Sequence, residues 1–119
     1  MARFHDGRGT LLVDGRPVAP VEIAASMQAR TRGLLGRDGI EGAILLSPSQ
    51  GVHTLRMRFA IDVAFLTGDL RVLKVVQMPP NRIGMVRLRA RHVLETECGR
   101  MSGWGITPGR TLRIEETQG

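Results

Sequence analysis

No unbroken apolar run in this chain is longer than four residues: the two longest are AILL at 43–46 and VAFL at 63–66. A membrane-spanning helix takes about 20 apolar residues, so none is encoded. What the pattern offers instead is short strands separated by turn signals. TLLVDGRPVAPVEIA holds two β-like runs around Asp14-Gly15, a two-residue hairpin signal. Pro17 and Pro20 cannot donate to a ladder, so the second of these strands is expected at an edge, or starting late. Ser26 reads as the N-cap of a helix over MQARTRGLLGR, about two to three turns long and stopped by Gly36 and Gly39.

GAILL reads as a buried strand and SPSQG (47–51) as a turn-rich loop. AIDVAFL and RVLKVVQM form a second hairpin around TGDL. Pro79-Pro80-Asn81 breaks the chain before RIGMVRLRA, where Arg87, Arg89 and Arg91 would line one face of a strand. RHVLETE places Val93, Glu95 and Glu97 on one face and Leu94, Thr96 and Cys98 on the other. CGRMSGWGITPG has too many glycines for more than a helical turn, and TLRIEE closes the domain before a terminus expected to fray. The expectation is one α+β, β-rich domain over 1–119, with six to eight mostly antiparallel strands curled into a barrel or sandwich and one main short helix.

Composition narrows the function classes. The formal charge is +6, but sixteen of the seventeen basic residues are arginines spread along the chain, there is no Tyr, and no aromatic stacking platform is visible. Specific nucleic-acid recognition and membrane binding are therefore not expected. Cys98 is the single cysteine, which rules out an internal disulfide and a cysteine-based zinc cluster, and it reads as a small core residue. The start, MARFHDGRGT, has no apolar segment of signal-peptide type, so a cytoplasmic location is the default. No phosphate-cradling glycine loop or histidine metal spacing occurs, and no cofactor is expected.

The residue that asks for an explanation is Asp62, a carboxylate inside IDVAFL. Either face of that strand has apolar company, so the side chain must be partly buried and needs partners. His53, Arg56, Arg58 and the backbone of the preceding loop are the nearest candidates, and Glu95 poses the same question inside HVLETE. One reading makes Asp62 the anchor of the 52–60 loop. The other lets His53, Arg56, Arg58, Asp62 and Glu95 converge on a pocket at one end of the domain, away from the 5–20 hairpin. Glycoside hydrolysis lacks a sugar-stacking aromatic, and a Cys98 nucleophile lacks a base, because His92 lies about 20 Å along the same strand at roughly 3.3 Å per residue.

Taken in order, RTRGLLGR, VHTLRMRFAIDVAFL, and HVLETECG followed by GITPG resemble the successive boxes of one bacterial and archaeal family, domain of unknown function 192. The likeness runs from about Val21 to Ile114. It implies a compact β-rich domain with no established activity, cofactor or catalytic residue; some members carry secretion signals or neighbour pilus-type secretion genes. Two departures stand out: Gly109 is followed by Arg110 where the family usually has aspartate, and Leu55-Arg56 precede Met57 where an aromatic is common. The function expected is a non-enzymatic domain that binds a protein partner or a small ligand. The alternative is a small hydrolase-like enzyme using Asp62, Glu95 and His53.

Overall fold

The computed structural model describes residues 3–117. Residues 118–119, part of the terminus expected to fray, lie outside the described residues. Seven strands, β1 (Gly7–Val13), β2 (Arg16–Ala24), β3 (Ala43–Leu46), β4 (Ile61–Leu66), β5 (Val72–Met78), β6 (His92–Glu97) and β7 (Leu112–Glu116), form one sheet in the order β5-β4-β6-β3-β2-β1-β7. Two short helices, α1 (Met27–Arg32) and α2 (Arg100–Trp104), complete it. Among the described residues the outermost strands meet at one corner, through an Arg71–Thr111 bridge and hydrogen bonds from the Val72 N–H to Arg110 O, the Gly109 N–H to Val72 O and the Leu112 N–H to Leu70 O. The β-rich class is as expected; the barrel or sandwich resolves into one sheet that does not close.

The turn chemistry explains most of the elements. Asp14 and Gly15 both have positive φ, 52° and 76°, as a two-residue hairpin with right-handed twist requires. β2 is an edge for its first half and an interior strand for its second. Pairing with the parallel β3 begins only at Val21, just past Pro20, so both prolines lie where β2 is paired on one side only, with β1. Ser26 caps α1 by accepting from the Ala29 N–H at 3.1 Å. The helix ends earlier than the sequence suggested, because Gly33 and not Gly36 forms the C-cap. The glycine-rich stretch after β6 yields the short α2.

The central strands β3 and β4 are buried throughout, so both faces of the sheet are covered. On one face Leu11, Leu45, Leu66 and Leu94 pack under Met101 and Ile106 of the α2 region. On the other, Ile44, Ile61, Phe65 and Val93 pack under Leu34, Ile40, Met57 and Ala90. The 79–91 segment forms no strand beyond an isolated His53–Ile83 bridge, so Arg87, Arg89 and Arg91 do not share a strand face. It is instead tied as a loop to 50–54. Thr54 N–H donates to Arg82 O, Gly84 N–H to Val52 O, and Arg87 N–H to Gln50 O.

Candidate functional site

Strand register decides which of the polar residues can meet. Along β4 and β6, Val63 stands opposite Glu95 and Asp62 opposite Thr96. Side chains directly opposite share a face and neighbours along a strand alternate, so Asp62 and Glu95 leave the sheet on opposite sides. The two carboxylates do not converge.

Asp62 lies on the α2 face and is 2% exposed. Its Oδ2 accepts from the Gly99 N–H at 2.9 Å and the Met101 N–H at 3.0 Å. These are N–H groups at the start of α2, where no intrahelical acceptor exists and a negative charge is favoured. Asp62 is thus an anchor, as one reading of the sequence had it. It anchors the 99–101 turn, however, and neither the 52–60 loop nor its arginines. Arg58 pairs with Asp38 at 3.1 Å on the surface. Arg56 has φ 64° and donates its backbone N–H to Asn81 Oδ1, with its side chain exposed. Cys98 is exposed and not in the core, because it sits just past the end of β6. Desolvation and the Asp62 carboxylate push its thiol pKa up, which disfavours a thiolate nucleophile.

Glu95 occupies the other face. It is 4% exposed, and no group among the described residues donates a hydrogen bond to its carboxyl. Burial pushes its pKa up to about 7. The side chain borders a cleft of about 130 Å³ between the end of α1, the 49–53 segment and Met57. Leu34, Leu35, Leu46 and Val52 supply apolar walls; Arg32 and His53 supply the exposed polar ones. His53 accepts the Leu55 N–H at Nδ1, 3.3 Å away, which leaves Nε2 as the free ring position. Of the five residues singled out in the sequence, His53 and Glu95 line one cleft, while Arg56, Arg58 and Asp62 do not. The α1 end was missed as a wall, although RTRGLLGR was the signal that could have found it.

Two other hollows differ from this cleft in their polar groups. A larger one, about 520 Å³, runs between β1, β2 and the 37–43 segment. Its main charged groups satisfy one another: Arg37 grips Glu22 with two hydrogen bonds of 2.6 and 3.0 Å, and this pairing lowers the Glu22 pKa. Near Phe4, His92 Nδ1 lies 2.8 Å from Ser47 Oγ and Nε2 lies 3.3 Å from Gly68 O. Burial lowers the His92 pKa, so the ring is a neutral, fully bonded strut. Among the described residues, neither place holds a buried ionisable group without a partner.

Residues 10–114 match the family model of domain of unknown function 192 (DUF192), described as "Uncharacterized ACR". The chain is 31% identical over 84 residues to the UPF0127 protein PH1112 of Pyrococcus horikoshii, covering 66% of this chain and 73% of that one. Two crystal structures share the fold. One, from Sinorhizobium meliloti, is described as "a putative transcription regulator" and superposes with a TM-score of 0.80 at 17% identity, over 95% of this chain and 98% of the other. The second, a protein of unknown function from Novosphingobium aromaticivorans, gives a TM-score of 0.73 at 19% identity over 89% and 83% of the two chains. At these identities the likeness is one of fold. The family match, reaching back to residue 10 and so beyond the Val21 suggested by the motifs, shows that the chain belongs to the uncharacterised DUF192 (UPF0127) family.

Proposed function

We propose that this chain is a small-ligand-binding domain, with the Glu95 cleft as its site. The observation that carries the reading is a carboxyl held almost wholly out of water, bordering a cleft, with no donor of its own. A buried polar group without a partner costs roughly 1–3 kcal/mol, and a ligand N–H would recover that cost. The apolar walls favour a compact apolar body behind that N–H, and the size of the cleft limits it to a few heavy atoms. Three of the boxes that carry the family resemblance supply this cleft: Arg32, Gly33 and Leu34 from the first, His53 and Met57 from the second, Glu95 from the third. A hydrolase using Asp62, Glu95 and His53 would need both carboxylates in one place, and the β4–β6 register argues against it.

The test is an amide-shift titration with butylamine and butyramide at pH 6 and pH 8, on the wild type and Glu95→Gln. Shifts should concentrate in residues 32–35, 51–57 and 95. Butylamine should bind more tightly at pH 8, where Glu95 is ionised, and the isosteric variant should lose that preference. Shifts confined to the 5–20 hairpin, or equal butylamine binding by Glu95→Gln, would refute the assignment.

A further inference from the structure

The chain carries no acidic residue between Asp69 and Glu95, yet it places Arg71, Lys74, Arg82, Arg87, Arg89 and Arg91 there. Within the same segment Ile83, Met85, Val86 and Leu88 are 62–76% exposed. Large aliphatic side chains set this far into water, interleaved with unopposed arginines, mark an interaction surface. Beside this loop lies β5, the outermost strand on its side of the sheet. Among the described residues, 73–78 has no backbone partner other than β4. A groove of about 350 Å³ runs between that edge and the loop, bordered by Val76, Met78, Arg82, Ile83, Met85 and Arg87.

We propose that the β5 edge and the 82–88 loop form a docking groove for an extended, acidic segment of a partner protein, which adds to the sheet as an eighth strand. The surface is separate from the Glu95 cleft and the proposal does not depend on it. Three observations select this occupant. An unpaired strand edge offers a ladder of N–H and C=O groups, which an extended peptide satisfies and a lipid surface or a folded helix does not. Alternate side chains of such a strand would reach the groove, where apolar ones meet Ile83 and Met85 and acidic ones meet the arginines. The buried Nε of Arg87 has no hydrogen-bond partner among the described residues, and its guanidinium lies 5.3 Å from the Phe65 ring centre, so it is held in place as a donor without an acceptor. A second copy of this chain pairing edge to edge would set Lys74 and the arginines against their own kind, which disfavours self-association here. Nucleic acid would leave the four aliphatic side chains without a role.

The experiment uses the isotope-labelled full chain and three probes: a capped decapeptide of alternating Glu and Val, its Lys–Val counterpart, and vesicles of equal parts phosphatidylglycerol and phosphatidylcholine. The Glu–Val peptide should shift the amides of 73–78 and 82–88 and slow hydrogen exchange along β5; the Lys–Val peptide should not. Arg82→Glu combined with Ile83→Ser changes exposed side chains only, leaves the fold intact, and should weaken binding by about tenfold or more. Equal binding of the Lys–Val peptide, or full retention by the double variant, overturns the proposal. So does a loop that moves with vesicles while β5 is unmoved by the peptide, since that result makes the loop a lipid-surface anchor.

Discussion

Glu95 stands opposite Val63 in the β4–β6 ladder, so its carboxyl enters the face under α1 while that of Asp62, one position away on β4, enters the face under α2. The two buried acids consequently have opposite circumstances. Asp62 has two backbone donors, both to Oδ2, while its Oδ1 has none; the Glu95 carboxyl has no donor at all among the described residues. One is built into the fold; the other is the carboxyl that the proposed ligand would meet.

The folded-state pKa of Glu95, about 7, lies above its ordinary value of 4.5. Between those values the native state holds a proton that the unfolded chain has released, so stability falls as pH rises through this window. The full excursion corresponds to roughly 3 kcal/mol at about 1.4 kcal/mol per pH unit. Glu95→Gln should therefore match the wild type near pH 4 and be more stable by up to about 3 kcal/mol at pH 8. His92 contributes the opposite slope below its ordinary pKa of 6.5, but equally in both proteins. Urea midpoints across pH 4–8 would check this, and parallel curves for the two proteins would assign the titration elsewhere.

Removing the Asp62 carboxylate strands the buried Met101 N–H and its neighbour at Gly99. At roughly 1–3 kcal/mol for each donor left unsatisfied, Asp62→Ala should cost about 3 kcal/mol. Asp62→Asn, which keeps an acceptor at the same place, should cost about 1 kcal/mol. Hydrogen exchange supplies the specific readout: in both variants amides 99–104 should lose protection before those of 53–58. Loss of protection in 53–58 first would restore the loop-anchor reading.

Several features of this fold were legible because they are local. The Asp14-Gly15 hairpin, the Ser26 cap and the strand character of 43–46, 61–66 and 92–97 each depend on residues within a few positions of one another. The alternation within β6 was also read correctly: Val93 and Leu94 belong to different core faces. What could not be read was the register between β4 and β6, whose paired residues are 26 to 36 positions apart. A shift of one residue would have put Asp62 and Glu95 on one face, and no local pattern distinguishes the two outcomes. The alternating arginines at 87–91 misled for a related reason. Period-two spacing suits a strand, but after Pro79-Pro80 and Gly84 the segment follows the 50–54 loop and has no strand to pair with.

Because Arg87, Arg89 and Arg91 are not aligned on a strand, duplex DNA has no ridge of basic side chains to read here. Binding should be weak and indifferent to sequence, and should fade steeply between 50 and 200 mM salt. Fluorescence anisotropy with two unrelated duplexes would test this. A preference for one duplex that persists at 150 mM salt would make the arginine loop a recognition element.

The junction of β2 with β3 offers the sharpest test of the packing. Gly42 precedes β3 where that strand comes alongside Pro20, and a Cβ built on it would lie 1.9 Å from the Pro20 carbonyl oxygen. The obstacle is backbone of the neighbouring strand, which cannot rotate aside, so Gly42→Ala must push β2 and β3 apart at the point where their parallel pairing begins. A cost above about 2 kcal/mol is expected, within the range of overpacked cores. Gly103 is the control: it lies within α2, is exposed, and a Cβ there would meet nothing within 4 Å. Gly103→Ala should stabilise by about 0.5–1 kcal/mol, through helix propensity and a less flexible unfolded chain. Thermal unfolding of the two variants side by side would separate these effects, and a Gly42→Ala protein melting with the wild type would mean that β2 and β3 do not approach this closely.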